Sequence, residues 1–206
     1  FRIFEIEPDI FDVISMDRWV RVHHDVLTNT YFFDCVAEEF DYWAEYFDFG
    51  TNYDIYFDAI ENSNDDFLKN AAGYGNGMRI LHQNYWETMV SFIISQNNNI
   101  PRIKKNIEAL CRRFGKPMSK YGMTYYSFPY RPEDLGDVKL EDFKDLGLGY
   151  RAEYVYYVYK NFCEKLDSSF LLKIRGVGPK VASCIKLFGC HEMDSYPIDT
   201  WIKKMI

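Results

Sequence analysis

Lys180 and Asp199 are the residues best placed to do chemistry. Lys180 ends the run Leu171-Leu172-Lys173-Ile174-Arg175-Gly176-Val177-Gly178-Pro179-Lys180, and Asp199 lies in Tyr196-Pro197-Ile198-Asp199-Thr200. Gly-Val-Gly between two apolar helical segments is the pattern of a helix-hairpin-helix turn, here at about residues 169–189. In such a turn the glycines let main-chain N–H groups come close to a DNA phosphate. The second helix starts there with its positive dipole end forward. An amine and a carboxylate beside a DNA backbone are the parts needed to cut a base from its sugar. Each motif alone says less. Many hairpins only hold DNA, with the lysine meeting phosphate, and Pro-x-Asp-Thr alone is a helix start capped by Asp199 or Thr200. The order and spacing of the pair carry the reading.

The elements that must position these residues are helical. Trp86, Met89, Val90, Ile93 and Ile94 fall on one face of a helix. Ile103, Ile107, Leu110, Cys111 and Phe114 repeat the pattern after Pro101, which suits a first helical turn. Val155, Val158, Tyr159 and Phe162 form a third face, and Val181, Cys184, Ile185 and Phe188 a fourth. These stripes predict a core. The amino-terminal stretch reads instead as strands at 2–6, 10–14, 19–23 and 31–36, aromatic and β-branched with turn residues between. Helical signals follow from about Asp54, with Ser63 as a cap before Asp65 and Asp66. His23 and His24 are adjacent, so on a strand they face opposite ways and cannot share a ligand. The prediction is an α+β chain: residues 1–77 form a small antiparallel sheet with helices, and residues 78–206 an all-α domain ending in the hairpin.

Charge divides at the same place. Residues 1–77 hold four Lys or Arg and seventeen Asp or Glu, while residues 78–206 hold twenty and fourteen. The net charge of −7 thus hides a basic second part, which is where contact with an acidic partner is expected. The acidic part reads as solvated surface. The glycines from Gly73 to Gly77 form no phosphate loop, because no Lys-Ser/Thr follows. No apolar run approaches a membrane span. Cys35, Cys111, Cys163, Cys184 and Cys190 are odd in number and form no C-x-x-C pair, which disfavours a disulfide scaffold or zinc site and favours a reducing compartment. The chain opens on Phe1 without Met, so the natural amino terminus is expected to lie upstream.

Taken together, Gly176-Val177-Gly178-Pro179-Lys180 and Pro197-Ile198-Asp199 resemble the helix-hairpin-helix DNA glycosylase superfamily. Ser95-Gln96-Asn97-Asn98-Asn99-Ile100-Pro101-Arg102-Ile103 resembles the Asn-Asn-Asn-Ile-x-Arg segment of 8-oxoguanine DNA glycosylases. Leu146-Gly147-Leu148-Gly149-Tyr150-Arg151-Ala152 resembles their Gly-Leu-Gly-Tyr-Arg-Ala loop. The four motifs stand in family order over roughly residues 78–206.

The resemblance implies a bifunctional glycosylase and β-lyase that removes 8-oxoguanine, preferentially opposite cytosine, from double-stranded DNA with the damaged base flipped out. Lys180 is then the nucleophile. Attack needs a neutral amine, and an ordinary lysine titrates at about 10.4, so burial or a positive helix end would have to lower it. Asp199 stabilises charge developing on the sugar. By the same resemblance Asn97 and Tyr150 fill the space left by the base, Arg102 and Arg151 read the estranged partner, and Gly176 and Gly178 meet phosphate. Cys184 lines the base pocket or serves the core. No cofactor is required, but the carbonyls of Leu172, Ile174 and Val177 would hold a cation with a DNA phosphate. A monomer is expected, in the cytoplasm with the nucleoid of a bacterium or in a eukaryotic nucleus.

Departures from the family pattern are visible. Trp201 stands where many eukaryotic relatives carry a phosphate-contacting His. The segment between Tyr159 and Phe170 is shorter than in the family. Phe1-Arg2 resembles the tail of the Gly-Gln-x-Phe-Arg motif, and the chain is read as truncated at the carboxyl end, so much of the base-reading pocket falls outside this sequence. Two alternatives stand beside this reading: a helix-hairpin-helix glycosylase for another lesion, and a DNA-binding module without catalysis.

Overall fold

The computed structural model describes residues 1–130, 135–161 and 168–204. Phe162 and Cys163 lie outside the described residues. The first four strands, β1 Ile3–Glu7, β2 Ile10–Ser15, β3 Arg18–Asp25 and β4 Thr30–Asp34, pair antiparallel in chain order. Val13 faces Val20 and Ile14 faces Trp19 across β2 and β3, and all four side chains are buried. Asp9 and Met16 adopt left-handed backbone in the two tight turns that separate β1 from β2 and β2 from β3. His24 bonds Asp9 and Asn29 and stacks on Tyr31, a structural strand histidine.

Three short helices follow: α1 Ala37–Tyr46, α2 Asp54–Glu61 and α3 Asp66–Gly75. Helix α1 was not expected. The cap of α3 is Asp65, whose side chain accepts from the Leu68 N–H, while Ser63 turns back to the Ile60 carbonyl. Then come α4 Tyr85–Ser95, α5 Ile100–Phe114, strands β5 Pro117–Lys120 and β6 Met123–Tyr126, and helices α6 Leu140–Lys144, α7 Arg151–Lys160 and α8 Pro179–Gly189. Short 3-10 turns occupy Ser168–Lys173 and Ile202–Lys204. The predicted apolar stripe of α4 is fully realised: Trp86, Met89, Val90, Ile93 and Ile94 are at most 1% exposed. Asn84 caps this helix, accepting from the N–H groups of Trp86 and Glu87. Asn99 caps α5 through the Arg102 N–H.

The second part is not entirely helical. Strands β5 and β6 form a hairpin whose turn is Tyr121-Gly122, both at positive φ, the backbone a two-residue loop requires. The expected division at residues 77 and 78 is also not where the compact units part. One unit is residues 1–35 with 83–206; the other is residues 36–82. The sheet belongs with the helical body because polar ties hold it there. Arg2 donates to Glu108 at 2.6 Å and to the Tyr126 carbonyl at 2.7 Å, and the Met16 N–H donates to buried Glu87 at 2.7 Å. Residues 36–82 carry ten acidic and two basic side chains, so most of the acidic excess sits in that unit. Among the described residues no helix is long and apolar enough to cross a membrane.

Candidate functional site

The hairpin forms as its glycines demand. The 3-10 turn Ser168–Lys173 ends in hydrogen bonds from Ile174 N–H to Leu171 O and from Val177 N–H to Ile174 O. Leu171, Ile174 and Val177 point inward and are buried. Gly176 has φ +89, and a Cβ there would stand 2.5 Å from Cγ of Tyr154. Gly178 differs. Its φ is ordinary, and a Cβ would meet nothing within 4 Å. Nothing inside the protein requires a glycine there, so the open space faces outward at the start of α8. Pro179 is the first residue of α8, a position whose N–H would have no acceptor within the helix.

Gly176→Ala is expected to lower the melting temperature, with the forced backbone alone costing on the order of 1–3 kcal/mol. Gly178→Ala, free of clash and strain, should cost much less. Thermal unfolding of both variants checks the contrast.

Lys180 follows in the first turn of α8 and is exposed. Of the two environments expected for its amine, burial or a positive helix end, the position offers the second. Its Nζ lies 5.2 Å from the centre of the Phe92 ring, a cation–π contact that steadies the side chain at the mouth of the site. Asp199 sits across a cavity of about 810 Å³ that both residues line, together with Asn97, Gly178, Tyr196 and Lys203. The Asp199 carboxylate accepts from the N–H groups of Trp201 and Ile202, each at 2.9 Å. It therefore caps the turn Ile202–Lys204, as its local sequence allowed. The Ile202 N–H, then the Trp201 N–H and the nearby Lys180 charge, hold its carboxyl below the ordinary range against the opposing effect of burial. It is ionised at neutral pH.

Cys184 lies one turn after Lys180 and is buried at 2% exposure. Burial pushes its thiol up, against the opposing pull of Lys180. A thiol so held is a poor nucleophile, which leaves that role to the amine.

Of the other sequence-predicted residues, Asn97 lines this cavity, Tyr150 and Arg151 bond to the Gln96–Asn97 segment in its wall, and Arg102 lines a second cavity with Gly147. Asn97 is exposed at φ +45, a left-handed conformation that Asn tolerates. Tyr150 is 50% exposed, and its hydroxyl donates to the Gln96 carbonyl at 3.3 Å. Arg102 is exposed on the first turn of α5 and reaches the Gly147 carbonyl at 3.3 Å. Arg151 is placed otherwise than expected. It is 3% exposed, and its guanidinium donates to the carbonyls of Gln96 at 2.7 Å, Asn97 at 2.7 Å and Leu148 at 3.2 Å. In this conformation it does not present donors outward. At the start of α7 it turns in beneath the 96–97 loop and shapes the surface that carries Asn97. Trp201, in place of the family His, is 71% exposed.

Sequence reasoning gave Gln96 no role. Its side chain donates to the Gly176 carbonyl at 2.8 Å, and its own carbonyl accepts from Tyr150 and Arg151. One residue thus joins the hairpin turn, the triple-Asn loop and the Gly-Tyr-Arg loop. The only sequence signal was its place directly before the triple Asn. The carbonyls of Leu172, Ile174 and Val177 fall on the hairpin turn; that of Ile174 already accepts one hydrogen bond and keeps a second lone pair.

Comparison with known proteins gives consistent neighbours. The model of the 8-oxoguanine DNA glycosylase N-terminal domain matches residues 4–89. An N-glycosylase/DNA lyase of Saccharomyces cerevisiae is 33% identical over 153 residues, 63% of this chain and 41% of that protein, so the chain spans under half the length of that relative. The structure of MBOgg1 in complex with a low-affinity DNA ligand superposes with a TM-score of 0.88 at 37% identity, over 100% of this chain and 74% of the other. The Clostridium acetobutylicum 8-oxoguanine glycosylase/lyase, in complex with double-stranded DNA containing cytosine opposite 8-oxoguanine, gives 0.87 at 34% identity over 99% and 74%.

Proposed function

This chain belongs to the 8-oxoguanine DNA glycosylase family, and we propose that it removes 8-oxoguanine from double-stranded DNA and then nicks the strand through a lysine Schiff base. The observation that carries this reading is the shared cavity of Lys180 and Asp199 beside an unobstructed Gly178. Duplex DNA enters with a phosphate at the start of α8, where main-chain N–H groups and the helix dipole favour an anion. The damaged base must leave the stack before its glycosidic bond is within reach. Asn97 and Tyr150, exposed on adjoining loops, take the space it leaves.

After losing a proton, Lys180 Nζ bonds to the sugar C1′ as the glycosidic bond breaks, and the base departs with the bonding electrons. Proton loss from the new amine and opening of the sugar ring give the Schiff base, and β-elimination then expels the 3′ phosphate. Asp199, charged and close to the amine, stabilises the positive charge that develops on the sugar. The carbonyls of Leu172, Ile174 and Val177 suit a cation that would offset phosphate charge, with no part in bond making. We place the protein as a monomer on nucleoid DNA in a bacterium or in the nucleus of a eukaryote.

Borohydride trapping on a panel of duplexes tests the reading. Capture on 8-oxoguanine opposite cytosine is expected to exceed that on oxidised pyrimidine or on adenine mispairs. Capture on those instead would point to another lesion, and no capture at all to a module that only binds.

The two arginines are expected to separate. Arg102→Ala should weaken discrimination between cytosine and adenine as partner more than it weakens overall binding, because base contacts specify while phosphate contacts position. Arg151→Ala should also lower the melting temperature, since it strips charged donors from three main-chain carbonyls. Excision rates on both pairs, at one salt concentration, decide this. Equal weakening on both pairs would make Arg102 a phosphate clamp and Arg151 a support for the loop alone.

A further inference from the structure

Helix α5 carries a polar residue in the middle of its apolar face. Ile103, Ile107, Leu110 and Cys111 are buried there, and Asn106 lies among them at 4% exposure. Its Nδ2 donates to the Leu146 carbonyl at 3.0 Å. Its Oδ1 is buried and has no hydrogen-bond partner among the described residues. For packing alone this is a poor residue: an apolar side chain of the same shape avoids the cost of desolvating the amide. The amide does something that an apolar side chain would not.

The bonded segment is the loop from α6 to Tyr150. Gly147 and Gly149 both have positive φ, +72 and +61, a conformation glycine adopts without steric cost. Besides the Arg151 bond to Leu148 O, three ties hold its first half. The Gly147 N–H reaches back to Lys144 O, Arg102 reaches Gly147 O, and Asn106 holds Leu146 O from below. The Asn106 Nδ2 also lies 3.8 Å from where a Cβ on Gly147 would stand, so the amide fits directly beneath the glycine. Arg102, Lys105, Asn106, Leu146 and Gly147 line a cavity of about 690 Å³ between α5 and this loop.

Asn106 thus sets the height of the loop that ends in Tyr150. We infer that Asn106 is a positioning residue for reading the base opposite the lesion. It acts through the Leu146–Gly149 backbone on Tyr150 and Arg102, and touches neither the reacting sugar nor the partner base. This rests on the glycosylase reading above.

Asn106→Leu tests it. Leucine keeps the branched shape and removes the donor. The melting temperature should fall modestly, because the Leu146 carbonyl loses its donor. Borohydride trapping at an abasic site in single-stranded DNA, which reads Lys180 without a partner strand, should be unchanged. The ratio of excision opposite cytosine to excision opposite adenine should fall about tenfold, the low end of what one base contact contributes.

Gly147→Ala strains the same loop directly through its positive φ, and should lower the ratio likewise. The double variant should be no worse than the stronger single. A shift in stability with the ratio intact in Asn106→Leu would make Asn106 a packing residue only. If that variant does not fold, an intact ratio in Gly147→Ala overturns the inference by itself. A wild-type protein that cannot be trapped on any substrate would instead remove the glycosylase reading beneath it.

Discussion

Lys180→Gln is expected to abolish both base excision and borohydride trapping while the protein still folds and still binds duplex. Glutamine nearly matches lysine in length but has no nucleophilic amine. Lys180 is exposed and stands in the first turn of α8, so its removal opens no hole in the core. The loss in rate should be on the order of 10⁴-fold or more, the scale seen when a covalent nucleophile is removed. If Lys180 only met a phosphate, its loss would weaken binding and reduce the salt slope by about one unit. Cys184 cannot take over, because burial keeps its thiol protonated. Single-turnover excision, trapping and salt-dependent binding on one preparation separate the two roles. A variant that is still trapped would end the assignment.

Asp199→Asn should slow excision by about 10²–10³, the range for loss of one preorganised electrostatic stabiliser. The substitution is informative because it separates charge from structure. Asp199 accepts from the Trp201 and Ile202 N–H groups, and Asn serves about as well as Asp at such a cap. The turn Ile202–Lys204 should therefore persist, with little change in melting temperature. The sign of the pH effect follows from the depressed carboxyl. Its charge is present at and above the ordinary aspartate range and is lost only as pH falls through the lowered folded value. Any acid limb that Asp199 imposes on the wild-type rate should lie below that ordinary range and vanish in the variant. Unchanged turnover would leave Asp199 with the capping role alone.

The residue types and spacings of Lys180 and Asp199 were legible without coordinates, because hairpin turns and helix caps are local. Gly-Val-Gly needs only neighbouring backbone to form its turn, and Asp199 finds its N–H partners two and three residues on. The apolar face of α4 was equally plain, since a helical period needs no knowledge of what covers it. The sheet of residues 3–34 followed from alternation and turn residues in the same way.

Helix α1 and the β5–β6 hairpin were missed. In α1 the aromatic residues suited strand as well as helix, and tertiary burial of Trp43 and Tyr46 chose between them. The hairpin strands are only four residues each, too short for a period to show.

What only the tertiary structure decided is where side chains at long sequence separation spend their hydrogen bonds. The motif of Arg151 points to a base contact, yet the side chain lies under the Gln96 and Asn97 carbonyls more than fifty positions away. Gln96 could not be singled out until Gly176, eighty positions on, came within 2.8 Å. Asn106 left one trace, an amide where the period asked for an apolar residue, and its meaning depended on the Leu146 carbonyl forty positions away. Local pattern sets which elements form and which chemistry they carry, because its forces act within a turn or two. Which donor meets which acceptor is settled by packing, since a buried polar group takes whatever partner the fold brings to it.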